Sequence, residues 1–132
     1  AFVAGEKCCD SLVPGDHGTT YGGNPLATAA VSKVFDLFEE MNILEHVNEV
    51  SNYLEEQLDK LVEQYDNVVA RRGKGLMQGL VLTTPVIDTV NKAIDKGLLV
   101  ISAGSDVLRM VPPLVITKEN VDEMIEILSQ CL

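Results

Sequence analysis

Cysteine is scarce in this chain, and its pattern excludes two kinds of stabilising site. The 132 residues contain three cysteines, the adjacent Cys8 and Cys9 and the distant Cys131. An odd number without C-x-x-C spacing argues against a disulfide framework and against a zinc site. We therefore expect no metal, and reduced thiols as in a cytoplasmic protein.

Basic residues and long apolar runs are also lacking. Lysine and arginine together number 10 against 20 aspartate and glutamate residues, which gives a net charge of −10. Nucleic acid needs basic patches to neutralise its phosphates, so we expect no nucleic-acid partner. No run reaches the ~20 apolar residues of a transmembrane helix, so we expect no membrane partner either.

The residues that are present predict a folded α+β domain. Hydrophobic residues make up 46% of the chain and charged residues 23%, which is a globular composition. Helical periodicity predicts helices over residues 26–41 and 43–65, a third helix between Thr84 and Gly97, and a fourth after Thr117. Thr84 and Thr117 are predicted as N-caps, and Gly97 as the glycine that ends the third helix. Strands are predicted at residues 1–4, 68–71, 76–82, 98–101 and 107–111.

Residues 17–25, with the sequence HGTTYGGNP, combine the features of an anion-binding loop. Asn24 is a favoured N-cap and Pro25 suits the first helical position, so a helix is predicted to begin here. The amides of a helix start, glycines that allow close backbone approach, and the hydroxyls of Thr19 and Thr20 together suit a phosphate. The alternative is a glycine-rich loop that only caps the helix, with the threonine hydroxyls bonded to turn backbone.

Arg109 stands out among the charged residues because of its place in a strand. In an extended chain it shares a face with Val107 and Val111, and an unpaired buried charge is costly. It must therefore find an anion, either a ligand or a carboxylate of the protein. Arg71 and Arg72, at the end of another predicted strand, are interpreted as surface charges.

Three segments resemble class III pyridoxal-phosphate-dependent aminotransferases, within them the acetylornithine and ornithine aminotransferase group. The HGTTYGGNP loop is similar to the family's phosphate-contacting segment at every position. Residues 107–114, VLRMVPPL, resemble the segment whose arginine holds the substrate carboxylate, and residues 72–79, RGKGLMQG, resemble a third family signature. The segments occur in the family's order and span nearly the whole chain.

The resemblance implies a fold and a set of site residues. It implies the C-terminal small domain of a fold-type I enzyme, with helices packed on a small, mainly antiparallel sheet. Residues 1–40 would be the end of the large domain and residues 41–132 the small domain. Thr20 would contact the phosphate of pyridoxal phosphate in the neighbouring subunit of a homodimer, with help from Thr19. Arg109 would bind the substrate carboxylate.

The resemblance also implies what the segment cannot do alone. The family's Schiff-base lysine lies upstream of the histidine-glycine segment, and none of the seven lysines here has its sequence context. We therefore expect the C-terminal part of an aminotransferase, without a catalytic residue and inactive alone. The whole enzyme would transfer an amino group from N2-acetylornithine to 2-oxoglutarate in arginine biosynthesis. The alternatives are an ornithine or other ω-amino-acid aminotransferase, or a non-catalytic α+β interaction domain.

Overall fold

The structure, a computed structural model, describes residues 3–13 and 15–132. It divides into two compact units, Ala1–Asn42 and Ile43–Leu132. The described part of the first unit is a series of turns and loops followed by helix α1, Pro25–Glu40. The strand predicted at residues 1–4 is wrong at positions 3 and 4, which have no regular structure, and its first two residues lie outside the described part. The assignment of residues 1–40 to a larger domain stays a prediction.

Helix α1 begins as its sequence predicts. The Asn24 side chain accepts a hydrogen bond of 2.9 Å from the backbone N–H of Ala27, and Pro25 occupies the first helical position. None of the helix's residues is buried, although many of them are apolar. The helix therefore forms from local signals, and its apolar surface is open.

The second unit packs three helices on a four-stranded sheet. Its strands are all antiparallel in the order β1-β2-β4-β3, so the α+β architecture with an antiparallel sheet is confirmed. The elements are α2 Ile43–Gln64, β1 Val68–Lys74, β2 Met77–Leu82, α3 Val86–Asp95, β3 Ile101–Ala103, β4 Val107–Met110 and α4 Lys118–Ser129.

The core lies against one face of this sheet. Leu80 of β2 and Leu108 of β4 are fully buried, and they join a cluster with residues of α2, α3 and α4. Because strand side chains alternate between faces, Gly79 and Arg109 belong to the opposite face. The sheet thus has a face packed against helices and a face on which the candidate site is built.

Capping explains where the prediction of α3 succeeds and where it fails. Gly97, with a φ of +88°, ends the helix as predicted, and the N–H of Leu98 donates to the carbonyl of Ala93 at 2.9 Å. This is the Schellman arrangement, and it consumes the amide with which the predicted strand 98–101 would begin, so β3 starts later. The N-cap prediction for Thr84 is wrong, because Pro85, with a ψ of 118°, is still extended and itself occupies the N-cap.

The connection between β1 and β2 is shorter than the sequence suggests. Strand β1 continues to Lys74, which pairs with Met77, so only two residues form the turn. Gly75, the first of them, has a φ of +60°, as a type II′ turn requires. Gly73 lies inside the strand with a φ of +144°, which only glycine adopts readily.

Candidate functional site

The cross-strand register surrounds Arg109 with small and apolar neighbours. On β4, Arg109 lies opposite Gly79 of β2 on one side and Ile101 of β3 on the other. A Cβ atom at Gly79 would lie 2.8 Å from Cγ1 of Val107, so any larger residue would displace that valine. A glycine inside a strand can mark a site where a ligand approaches closely. Val107 packs closely over Gly79, and a depression lies beside these residues and the arginine.

This depression is a pocket of about 240 Å³ on the face of the sheet opposite the core. Its floor is apolar, formed by Met77, Gly79 and Val107. Arg72, Lys74 and Arg109 also line it, almost entirely through their apolar atoms, and no acidic side chain lines it. We call it the arginine pocket. An apolar pocket beside a partly buried arginine suits the carbon chain of an organic anion.

Arg109 has no anionic partner of its own. The residue is half-buried, and its Nε atom is buried without a hydrogen-bond partner in the described part of the chain. The ion pairs found among residues 3–13 and 15–132 do not include it. The structural ion pair, the alternative to a ligand role, is therefore not formed by the described residues. An unpaired donor in this position is ready for an external anion.

Arg71 shows what a structural arginine looks like in the same sheet. Its Nε atom donates to Oδ1 of Asp59 at 2.7 Å, and its Nη2 atom lies 3.4 Å from Oε2 of Glu55. The hydrogen bond to Asp59 raises the pKa of Arg71 above its ordinary value. Burial lowers the same pKa, but by less. Arg71 thus fixes β1 to helix α2 and is not a surface charge.

Gln78 is a residue that the sequence did not single out. It is buried, and its side-chain nitrogen donates to Glu55 at 3.1 Å and to the carbonyl of Gly75 at 2.7 Å. Its oxygen accepts from Arg71 at 3.2 Å. These bonds fix the β1–β2 turn, and the residues on either side of that turn line the arginine pocket. Only the three-dimensional partners reveal this role, because glutamine in a strand has no distinctive pattern.

The Thr19–Thr20 loop, residues 17–24 of the first unit, presents two free hydroxyls. The carbonyl of Thr19 accepts from the N–H of Gly22 at 3.3 Å, and a Cβ atom on Gly22 would lie 2.5 Å from Cγ2 of Thr19. Both threonines are exposed, and neither hydroxyl has a hydrogen-bond partner among the described residues. The alternative interpretation, a bond from Thr20 to turn backbone, is therefore not formed by the described residues, and both hydroxyls are available.

The helix start contributes less to this loop than the sequence predicts. The amide of Ala27 already donates to the Asn24 side chain, and Pro25 has no N–H. In the first three helical positions, the amide of Leu26 is therefore the donor that remains for an anion. Any anion held here depends mainly on the threonine hydroxyls. Thr19 and Thr20 lie together in the first unit, and Arg109 lies in the second.

His46 and the methionines of the sheet have structural roles. Nε2 of His46 lies 2.9 Å from the carbonyl oxygen of Ile116, which ties α2 to the loop before α4. Met110 is in the core, whereas Met77 is 58% exposed because it lies on the face with the arginine pocket. The described residues contain no cluster of ligands that could hold a metal ion. Within the same part of the chain, no helix combines the length and apolarity needed to span a bilayer.

A family comparison agrees with the resemblance of the three segments. The sequence model of the Aminotransferase class-III family matches residues 1–132. The chain belongs to this family. An acetylornithine aminotransferase from Aquifex aeolicus is 43% identical over 132 residues, which are 100% of this chain and 33% of the relative. One from Streptococcus mutans is 39% identical over 130 residues, or 98% of this chain and 34% of the relative.

A solved structure of the ornithine delta-aminotransferase of Plasmodium falciparum has the same fold. Its TM-score is 0.81 at 32% identity, and the match covers 91% of this chain and 31% of that one. The class III chain described here therefore spans about a third of the length of the curated relatives it matches.

Proposed function

We propose that this chain is the C-terminal part of an acetylornithine aminotransferase, which transfers an amino group from N2-acetylornithine to 2-oxoglutarate in arginine biosynthesis. The observation that carries the proposal is Arg109, a half-buried arginine without a described partner in a pocket that no carboxylate lines. The names of the two curated relatives support the choice of substrate. Because no lysine here has the Schiff-base context, the segment alone is inactive.

Arg109 is suited to the carboxylate of such a substrate. A guanidinium group donates two parallel hydrogen bonds to the two oxygens of a carboxylate, which fixes orientation as well as charge. Gly79 adds no side chain beside Arg109, and Val107 and Met77 offer apolar surface to the carbon chain. The substrate is thereby oriented before the reaction begins.

Pyridoxal phosphate is the proposed cofactor, and Thr20 with Thr19 is proposed to hold its phosphate across a homodimer interface. The cofactor supplies the electron sink for amino transfer when it is bound. The two free hydroxyls fit this role because each can donate to a phosphate oxygen without breaking a bond in the loop. The free cysteines, Cys8, Cys9 and Cys131, suit a reducing compartment such as the cytoplasm.

Ornithine is a second candidate for the amino donor. The likeness to the Plasmodium ornithine delta-aminotransferase favours it, since that protein has the same fold at 32% identity. The two donors differ by an acetyl group on the α-nitrogen, and the ratio of their kcat/KM values in the full-length protein decides between them.

The substitution Arg109→Lys in the full-length protein tests the proposal. Lysine keeps the charge but loses the bidentate fork, so kcat/KM for 2-oxoglutarate should fall about thirtyfold or more, with little change in Tm. Steady-state kinetics and thermal unfolding should be measured on one preparation.

Arg71→Lys is the matched control for this experiment. It removes a guanidinium group that donates two hydrogen bonds to Asp59, so it should lower Tm. It should reduce kcat/KM less than Arg109→Lys does. A destabilised Arg109→Lys protein with normal kinetics would show that Arg109 is structural and would end the proposal for this residue.

A further inference from the structure

We propose that a zwitterionic α-amino acid binds in a second cavity of this chain, which lies along helix α3. The cavity has a volume of about 520 Å³, and its lining includes Asn67, Leu132 and several residues of α3. We call it the α3 cavity. It shares no lining residue with the arginine pocket, so the inference is independent of the proposed function.

One side of α3 supplies half of the lining. Four of the lining residues follow the spacing i, i+3, i+4, i+7, which brings them to the same side of the helix: Pro85, Asp88, Thr89 and Lys92. Other residues of α3 are buried in the core cluster, which fixes the position of the helix. The cavity is therefore built on a rigid element, as a specific binding site requires.

Thr89 is the residue that indicates a ligand. It is only 3% exposed, yet its hydroxyl has no hydrogen-bond partner among the described residues. In the same part of the chain, the fully enclosed side-chain atom without a partner is Nε of Arg109. The Thr89 hydroxyl is therefore not sealed inside the protein, and it opens onto the cavity that Thr89 lines. A buried polar group normally has a partner, and a ligand in the cavity can supply one.

Asp88 and Lys92 give the cavity one charged group of each sign. They lie one helical turn apart, a spacing that allows an ion pair, but the ion pairs among the described residues include neither of them. Nζ of Lys92 donates to the carbonyl of Cys131 at 3.0 Å, and an ammonium group has two further donors. The Asp88 carboxylate has no hydrogen-bond partner among the described residues. The cavity thus offers an acceptor for an ammonium group and a donor for a carboxylate.

This combination fits an α-amino acid better than other small ligands. The ammonium group of the ligand pairs with Asp88, and its carboxylate accepts from Lys92 and from the Thr89 hydroxyl. A phosphate or a dicarboxylate would be repelled by Asp88, which lies one turn from the cation. No aromatic side chain is among the residues that line the cavity, so a nucleoside base would have no ring on which to stack.

Asn67 and Lys92 fix the walls of the cavity before a ligand binds. Nδ2 of Asn67 donates to the carbonyl oxygen of Leu132 at 3.1 Å, and Lys92 donates to the neighbouring carbonyl of Cys131. The segment after α4 is thereby attached both to the turn before β1 and to α3. A site whose walls are already in place loses little conformational entropy when the ligand binds.

Calorimetric titration of the full-length holoprotein with L-proline and two matched analogues tests the inference. Proline is a zwitterion with a secondary amine, so it is not an amino donor for transamination and its binding is not confused with turnover. Cyclopentanecarboxylate lacks the nitrogen, and pyrrolidine lacks the carboxylate. Proline should bind, and each analogue should bind about tenfold or more weakly, because each loses one charge-assisted pair.

Substitutions on α3 show whether proline binds in the α3 cavity. Asp88→Asn and Lys92→Gln should each raise the Kd for proline about tenfold or more. Thr89→Val, which keeps the shape of the side chain, should raise it by a smaller factor. If Lys92→Gln fails to fold because the bond to Cys131 is lost, the Asp88 and Thr89 variants still decide.

Asp95→Asn and Lys96→Gln are the matched controls. Both residues are exposed at the end of α3 and carry the same charges, but neither lines the cavity, so the Kd for proline should not change. Equal losses in Asp88→Asn and Asp95→Asn would mean a general charge effect and would overturn the inference. No binding of proline, or equal affinity for proline and cyclopentanecarboxylate, would also overturn it.

Discussion

Each of the three arginines of this chain has a different environment. Only the environment of Arg109 could be predicted from the sequence. Arg109 could be singled out because it alternates with two valines, a pattern that needs nothing beyond neighbouring residues. The pairing of Arg71 with Asp59 could not be found in this way, because that carboxylate lies 12 residues earlier on a helix. The position of Arg72 depends on strand register, which the sequence pattern does not specify for two separate hairpins.

A prediction about single residues concerns the Thr19–Thr20 loop and its affinity for the cofactor. In the full-length protein, Thr20→Val should raise the Kd for pyridoxal phosphate about tenfold to a hundredfold, because a hydrogen bond to a charged phosphate is lost. Titration of the apo-protein with the cofactor measures this. Thr28→Val is the control, since the Thr28 hydroxyl donates to the carbonyls of Asn24 and Pro25 within the chain. An unchanged Kd in Thr20→Val would show that the phosphate is held elsewhere.

At the scale of elements, the predictions succeed where a signal is local. Thr117 caps α4 as predicted, and Asn120 completes a capping box with it. The start of β3 and the end of β1 differ from the prediction because they depend on backbone geometry that the residue pattern does not show. Strand β3 starts later because the amide of Leu98 is already bonded to the end of α3. Strand β1 ends later because Gly73 continues it with a φ of +144°. Local sequence predicts the elements, whereas their ends depend on which hydrogen bonds remain available.

The β1–β2 hairpin should tolerate substitution very differently at its two positive-φ glycines. A Cβ atom at Gly73 would lie 2.2 Å from the carbonyl oxygen of Met77 and 2.7 Å from Oε1 of Gln78. Gly73→Ala should therefore lower the free energy of unfolding by about 2–4 kcal/mol. At Gly75 a Cβ atom would meet nothing within 4 Å, so Gly75→Ala should cost only the backbone strain of about 1 kcal/mol. Urea unfolding of both variants compares them, and equal losses would contradict the hairpin geometry.

The contact between α2 and α4 gives a prediction for pH. Nζ of Lys118 donates to Oε1 of Glu49 at 2.6 Å, and this bond lowers the pKa of Glu49 below its ordinary value of 4.5. A lowered pKa in the folded state gives a stabilising contribution that is present above pH 4.5 and is lost as pH falls through the folded-state pKa. Because both groups are exposed, the effect on stability should be small.

An NMR titration of the side-chain carboxyl carbons measures this pKa directly. Glu49 should titrate on the acid side of its ordinary value, and Lys118→Gln should move the midpoint back up. If the midpoint is the same in the two proteins, the ion pair is not maintained in solution.

At the scale of the whole molecule, the two units differ in how far they bury their own apolar residues. The second unit encloses a core with fully buried leucines on four elements: Leu54 of α2, Leu80 of β2, Leu108 of β4 and Leu128 of α4. The first unit has a well-capped helix and no buried residue in it. This contrast agrees with a chain that spans about a third of the length of its curated relatives. A helix formed by local caps still needs apolar contacts for most of its stability.

The isolated 132-residue chain should therefore self-associate through α1. Leu26, Val34 and Phe35 of this helix are 82%, 50% and 65% exposed, and contiguous apolar surface of this kind tends to find a partner. Size-exclusion chromatography with light scattering should show a mass that rises with concentration, and Phe35→Glu should reduce it. Ile87→Glu, which changes an exposed apolar residue of α3, is the control and should have less effect. A monodisperse monomer at every concentration would mean that α1 is covered within the chain itself.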